Sequence, residues 1–160
     1  MLARILLTDP NRPSPGHPTQ AGRRIENSKK LKRLKILFVD DDQWLRRSME
    51  YYFRKRVSVF VAVGSAGQAL RRLNTEAFDV ILCDYLLPDT DVIRFLEMLE
   101  EMYPGVKRVL ITSYPDHEVE SRARKIGVSN FIRKPLYSKD IESSLARLNP
   151  VPLTKKSHNQ

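Results

Sequence analysis

The chain has 160 residues, a formal net charge of +9 and one cysteine, Cys83. One domain plus tails fits that length, and a single cysteine excludes an intramolecular disulfide and a cysteine-rich zinc site. No run approaches the ~18 consecutive apolar residues of a membrane span, and Asp9-Pro10 cuts the N-terminal apolar run too short for a signal-peptide core. Without either, a cytoplasmic protein is expected.

The charge is unevenly placed. Residues 1–33 hold eight Lys/Arg against Asp9 and Glu26, and Lys155 and Lys156 lie in the last ten residues. The high isoelectric point therefore belongs to the tails, which weakens any inference to a nucleic-acid-binding fold. Pro10, Pro13, Pro15 and Pro18 followed by Lys29-Lys30-Leu31-Lys32-Arg33 read as a disordered basic tail over 1–33. Residues 150–160 read as a second disordered tail, leaving 34–149 as the domain.

Inside that domain strand and helix patterns alternate five times. The first strand is Leu34–Val39, and the first helix runs over Gln43–Lys55 with Leu45, Met49, Tyr52 and Phe53 at helical spacing. Asp42 is either solvated or this helix's cap. The second strand, Val57–Val63, leads through Gly64 to a helix with Ser65 as N-cap. The third strand is Phe78–Cys83, and its helix runs from Asp91 to Met102, before Pro104-Gly105. The fourth strand is Arg108–Thr112, with a helix from Asp116 to a C-cap at Gly127. The fifth strand is Ser129–Arg133, and the last helix starts with Ser138 as N-cap and runs to Leu148. The strands are uniformly apolar, as parallel strands covered on both faces are. Alternating β and α predicts a doubly wound α/β domain with a five-stranded parallel sheet. Cys83, within such a strand, reads as a small buried apolar residue and not as a reactive thiol.

Such sheets bind ligands at the carboxyl ends of their strands. Asp40 and Asp41 follow the first strand, Asp84 the third, Thr112 ends the fourth and Lys134 follows the fifth, before Pro135. Clustered carboxylates call for a hard divalent cation, and Mg²⁺ fits best. Acids, a hydroxyl and a lysine at one edge match the needs of phosphoryl transfer, where charge develops on phosphoryl oxygens. Each residue alone has an ordinary reading: a solvated turn, a helix cap, a β-former, a surface lysine. Five together at one sheet edge do not.

The stretches Leu37–Asp42, Val80–Pro88, Val109–Ser113 and Phe131–Pro135 resemble the response-regulator receiver domains of two-component signalling. The resemblance covers roughly 34–148 and implies the flavodoxin-like strand order 2-1-3-4-5. It implies that Asp84 is the phosphoacceptor, charged by a histidine kinase or a histidine phosphotransfer protein. Asp40, Asp41, Asp84 and the backbone carbonyl of Leu86 would hold Mg²⁺. Thr112 and Lys134 would contact the acyl phosphate, Ser113 would leave it a path in, and Thr112 and Phe131 would switch together. The output would be the surface of the fourth helix, fifth strand and fifth helix, which acts on a downstream protein or passes phosphate on. The chain would then be a single-domain regulator and no turnover enzyme, catalysing only its own phosphorylation and dephosphorylation.

Some positions depart from the family pattern. Val92 stands where many members carry Gly, which puts the geometry of the Pro88–Asp91 turn in doubt if φ > 0 is needed there. Leu86 and Tyr114 are bulky beside the site and suggest slow autodephosphorylation. Pro115 stiffens the loop that follows. The arginines of the first helix, Arg46 and Arg47 among them, read as a solvated face or a docking surface for the phosphodonor.

Three other classes remain open. A receiver-like scaffold without phosphorylation would not bind Mg²⁺. A nucleic-acid-binding protein is disfavoured, because the basic tail lacks interleaved aromatics; it would lose binding with residues 1–33. A metal-dependent hydrolase of small phosphorylated molecules would carry Asp-x-Asp after the first strand, where this chain has contiguous acids.

Overall fold

The computed structural model describes residues 20–113 and 116–148. Helix α1 (Gln20–Leu31) precedes five βα units: β1 (Lys35–Val39), α2 (Gln43–Phe53), β2 (Val59–Val63), α3 (Ala66–Thr75), β3 (Val80–Asp84), α4 (Val92–Met102), β4 (Lys107–Thr112), α5 (His117–Lys125), β5 (Val128–Arg133) and α6 (Ser138–Arg147). The strands form one parallel sheet in the order β2-β1-β3-β4-β5. This is the doubly wound arrangement expected from the alternation.

The uniformly apolar strands divide their side chains by the period of two. Leu37, Val39, Ile81, Cys83 and Leu110 face one layer with residues of α3, α4 and α5. Ile36, Phe38, Val80, Leu82, Val109 and Ile111 face the other with residues of α1, α2 and α6. Phe53 of α2 stacks on Phe60 of β2 at 5.1 Å between ring centroids. Burial pushes the Cys83 thiol far above its ordinary pKa, with Asp84 adding to it, which makes it an unreactive core residue.

Helix starts follow their caps. The Asp42 carboxylate accepts from the Trp44 and Leu45 amides, so Asp42 is the α2 cap. Ser65, Asp91 and Asp116 cap α3, α4 and α5. Gly127 follows α5 with φ 82°, and an added Cβ there would stand 2.5 Å from Arg108 Nη2. Both facts call for glycine.

Several expectations need correction. Residues 20–31, read as part of a disordered tail, form α1. The prolines that suggested disorder end at Pro18, and the segment from Gln20 is built mostly of good helix formers. Leu31 is buried beside Leu34, Val57 and Leu148 and anchors the helix on the α2/α6 layer. Ser138 is the first residue of α6, not its cap; Tyr137 holds that position without a side-chain cap bond. Val92 is the first helical residue of α4 and is buried, and no non-glycine residue among those described has φ > 0. The turn therefore needs no glycine there. The expectations for residues 1–19, Tyr114, Pro115 and 149–160 lie outside the described residues. Among the described residues no helix is long and apolar enough to cross a membrane.

Candidate functional site

Strand pairing alone sets the candidate residues level. Val39 pairs with Cys83, so Asp40, one residue past β1, and Asp84, the last residue of β3, lie side by side at the sheet edge. Thr112 pairs with Arg133, and the Lys134 amide donates to the Thr112 carbonyl at 2.9 Å. The Lys134–Pro135 peptide is cis. The Lys134 ammonium then reaches across the edge, donating to Asp40 Oδ2 at 3.0 Å and Asp84 Oδ2 at 3.1 Å.

Carboxylate oxygens of Asp40, Asp41 and Asp84 lie within 4.8 Å of one another. Asp40 is fully buried and Asp84 nearly so, while Asp41 is exposed. Asp40 Oδ1 accepts the Asp42 amide at 2.9 Å. Three carboxylates thus face one ammonium, and the uncompensated negative charge suits a hard divalent cation with oxygen ligands. The donor set fits such an ion.

The titration shifts express the same imbalance. Burial, then the charge of Asp40, raise the Asp84 carboxyl above the ordinary carboxylate range, against the hydrogen bonds from Lys134 and the Leu86 amide. Burial alone would lower the Lys134 ammonium, but Asp40 and then Asp84 outweigh it and leave it above the ordinary lysine value. Lys134 is therefore a fixed cation at neutral pH.

Not every predicted residue enters the cluster. Thr112 is buried at the same edge. Leu86 is exposed, forms an isolated antiparallel bridge with Asp91, and turns its amide to Asp84. Phe131 lies apart on β5, half-buried, with the Arg124 guanidinium 4.7 Å above its ring. Ser113, next to Thr112, is exposed.

Three supporting residues escaped the sequence reading. Arg46 Nη1 donates to the carbonyls of Asp40 and Asp41 at 2.7 and 2.8 Å. Asp89 accepts from the amides of Ala66 and Gly67 at 3.0 and 2.9 Å, which ties the loop after β3 to the start of α3. Arg124 covers Phe131. The partners of Arg46 and Asp89 are backbone groups, and that of Arg124 lies across the α5–β5 turn; none of these leaves a motif.

A family model described as the response regulator receiver domain matches residues 36–146. The chain is 30% identical over 111 residues to the DNA-binding transcriptional regulator NtrC of Proteus hauseri, covering 69% of this chain and 23% of that protein. It is 29% identical over 116 residues to the response regulator protein VraR of Staphylococcus saprophyticus, covering 71% of this chain and 56% of that protein. The matches thus span from under a quarter to just over half of these relatives. Among solved structures, the signal receiver domain of an HD domain-containing protein from Pseudomonas fluorescens Pf-5 superposes with a TM-score of 0.65 at 23% identity, covering 71% of this chain and 91% of that one. That last likeness concerns the fold.

Proposed function

The chain belongs to the response regulator receiver family, and on that premise we propose that it is a phosphoacceptor of two-component signalling, with Asp84 as the acceptor. The observation that carries this reading is the convergence of Asp40, Asp41, Asp84 and Lys134 at one sheet edge. An Asp84 carboxylate oxygen attacks the phosphorus of a phosphohistidine on a histidine kinase or histidine phosphotransfer protein. The P–O bond forms, the P–N bond breaks, and the imidazole nitrogen leaves with the electron pair. Lys134 stands within hydrogen-bond reach of the attacking group and neutralises a phosphoryl oxygen, and the Thr112 hydroxyl donates to another. Asp40, Asp41, Asp84 and the Leu86 carbonyl would hold Mg²⁺, which supplies charge neutralisation to the transferring group.

Phosphorylation in this reading biases a two-state surface built from α5, β5 and α6, with Thr112 and Phe131 moving together. Helix α1 leaves that surface open. It borders Lys139, Glu142, Ser143 and Ala146 on one stripe of α6, whereas Asp140, Ser144 and Arg147 line the groove with β5. The switched surface controls a partner protein or hands the phosphoryl group on. The chain catalyses its own phosphorylation and dephosphorylation only, and it works in the cytoplasm, where phosphohistidine donors are made.

Intact mass after incubation with Mg²⁺ and acetyl phosphate tests the reading. One added phosphoryl group is expected in wild type and none in Asp84→Ala or in wild type with EDTA. A folded wild-type protein without an adduct, or an equal adduct in Asp84→Ala, overturns it.

A further inference from the structure

The loop between β1 and α2 carries two of the three clustered carboxylates, and its backbone is held from one side by one residue. Arg46, in the first turns of α2, directs Nη1 at the carbonyls of both Asp40 and Asp41, at 2.7 and 2.8 Å. Asp40 has further anchors: its amide bonds to the Val63 carbonyl, and its carboxylate to Lys134 and the Asp42 amide. The Asp41 carboxylate is exposed and has no hydrogen-bond or ion-pair partner among the described residues. Its direction therefore rests on its backbone, and the Asp41 carbonyl is pinned by Arg46.

Gly64, where β2 ends, makes room for this. A Cβ there would lie 3.2 Å from Arg46 Nη1 and 3.4 Å from Cζ. Gly64 does not have the positive φ that would demand glycine. Its missing side chain instead leaves the space that the guanidinium fills.

We propose that Arg46 is a positioning residue for the metal-binding carboxylates, holding the Asp40–Asp41 backbone so that both side chains converge with Asp84 on one cation, with Gly64 as its seat. The inference rests on the reading of this cluster as a divalent-metal site. Outer contacts of this kind orient ligands and set metal affinity.

The sign of the effect separates positioning from charge. Arg46 is a cation beside a cation site. If only its charge mattered, removing it would tighten metal binding by relieving repulsion. If it positions the loop, removing it weakens binding despite that relief.

The test is Mn²⁺ binding, with free Mn²⁺ counted by electron paramagnetic resonance, on wild type, Arg46→Met, Arg46→Lys and Gly64→Val, each first shown to be folded by circular dichroism. The affinity of Arg46→Met is expected to fall roughly 10-fold or more. Arg46→Lys keeps the charge with a poorer fork and falls between. Gly64→Val leaves Arg46 in the chain but displaces it, and weakens binding in the same direction. Equal or tighter binding by folded Arg46→Met overturns the proposal; if that variant does not fold, equal or tighter binding by Gly64→Val does so. Wild type that binds no Mn²⁺ overturns the metal-site reading and this inference with it.

Discussion

Two groups of buried charge sit on the same sheet and are built in opposite ways. At the carboxyl ends of the strands, Asp40 and Asp84 share the Lys134 ammonium, and Asp41 adds a third carboxylate. On the first half of β4, Arg108 is buried, paired with a half-exposed Glu100 and near the Gly127 carbonyl, with Nε and Nη1 lacking partners among the described residues. Burial lowers the Arg108 pKa, and among the described residues no second carboxylate pairs with it. One site gathers more negative charge than the fold needs. The other leaves a cation under-satisfied between α4 and the α5–β5 turn. Surplus charge of one sign, converging from the ends of two neighbouring strands and open through Asp41, marks a site that expects something else to bind. A single buried charge with an exposed partner is a packing strut.

The difference can be broken at each group in turn. The largest effect on stability is expected at Lys134. Lys134→Met leaves two buried carboxylates facing each other without their shared cation, and should cost about 3 kcal/mol. Urea unfolding without divalent metal measures it, and an unchanged midpoint would mean the ammonium contributes nothing to the fold. Added Mg²⁺ should recover part of the loss, since it replaces the missing positive charge.

Asp84 should respond in the other direction. Its carboxyl titrates above the ordinary range, so the folded chain keeps that proton to higher pH than the unfolded chain does. The stability tied to this group is full below the ordinary carboxylate pKa and is lost as pH rises through the raised value. Asp84→Asn removes that loss. Without metal, the variant should melt above wild type at neutral pH, with the gap closing in acid. A variant that melts lower at neutral pH would contradict the sign of the imbalance.

Arg108 should give the smallest change. Arg108→Met removes two unpartnered buried nitrogens, and Glu100 can return to water. A shift within about 1 kcal/mol, and toward greater stability, is expected. Metal affinity should be untouched. A loss of metal binding here would mean the two groups are coupled and the comparison fails.

How much of this was legible in the sequence follows from where each interaction lies. Asp40, Asp41, Asp84, Thr112 and Lys134 could be placed together because each ends or follows an apolar run, and parallel strands end on one edge. Asp42 was readable as a cap because its amide partners are the next residues. Arg46 was not, since its partners are carbonyls and a guanidinium on a helix looks like a solvated face. Asp89 was not, because its amide partners lie 22 and 23 residues away. Helix α1 was hidden by composition. A polar segment with one buried anchor, Leu31, has few apolar residues to announce it, and the prolines before it pointed toward disorder.

The most direct test of the account is to locate the phosphoryl group itself. Borohydride cleaves an acyl phosphate and leaves the former aspartate as homoserine. After treatment with acetyl phosphate and Mg²⁺, reduction and peptide mass mapping should place homoserine at Asp84 alone. Homoserine at Asp40 or Asp41, or at no residue in a protein that carries the added mass, would contradict it.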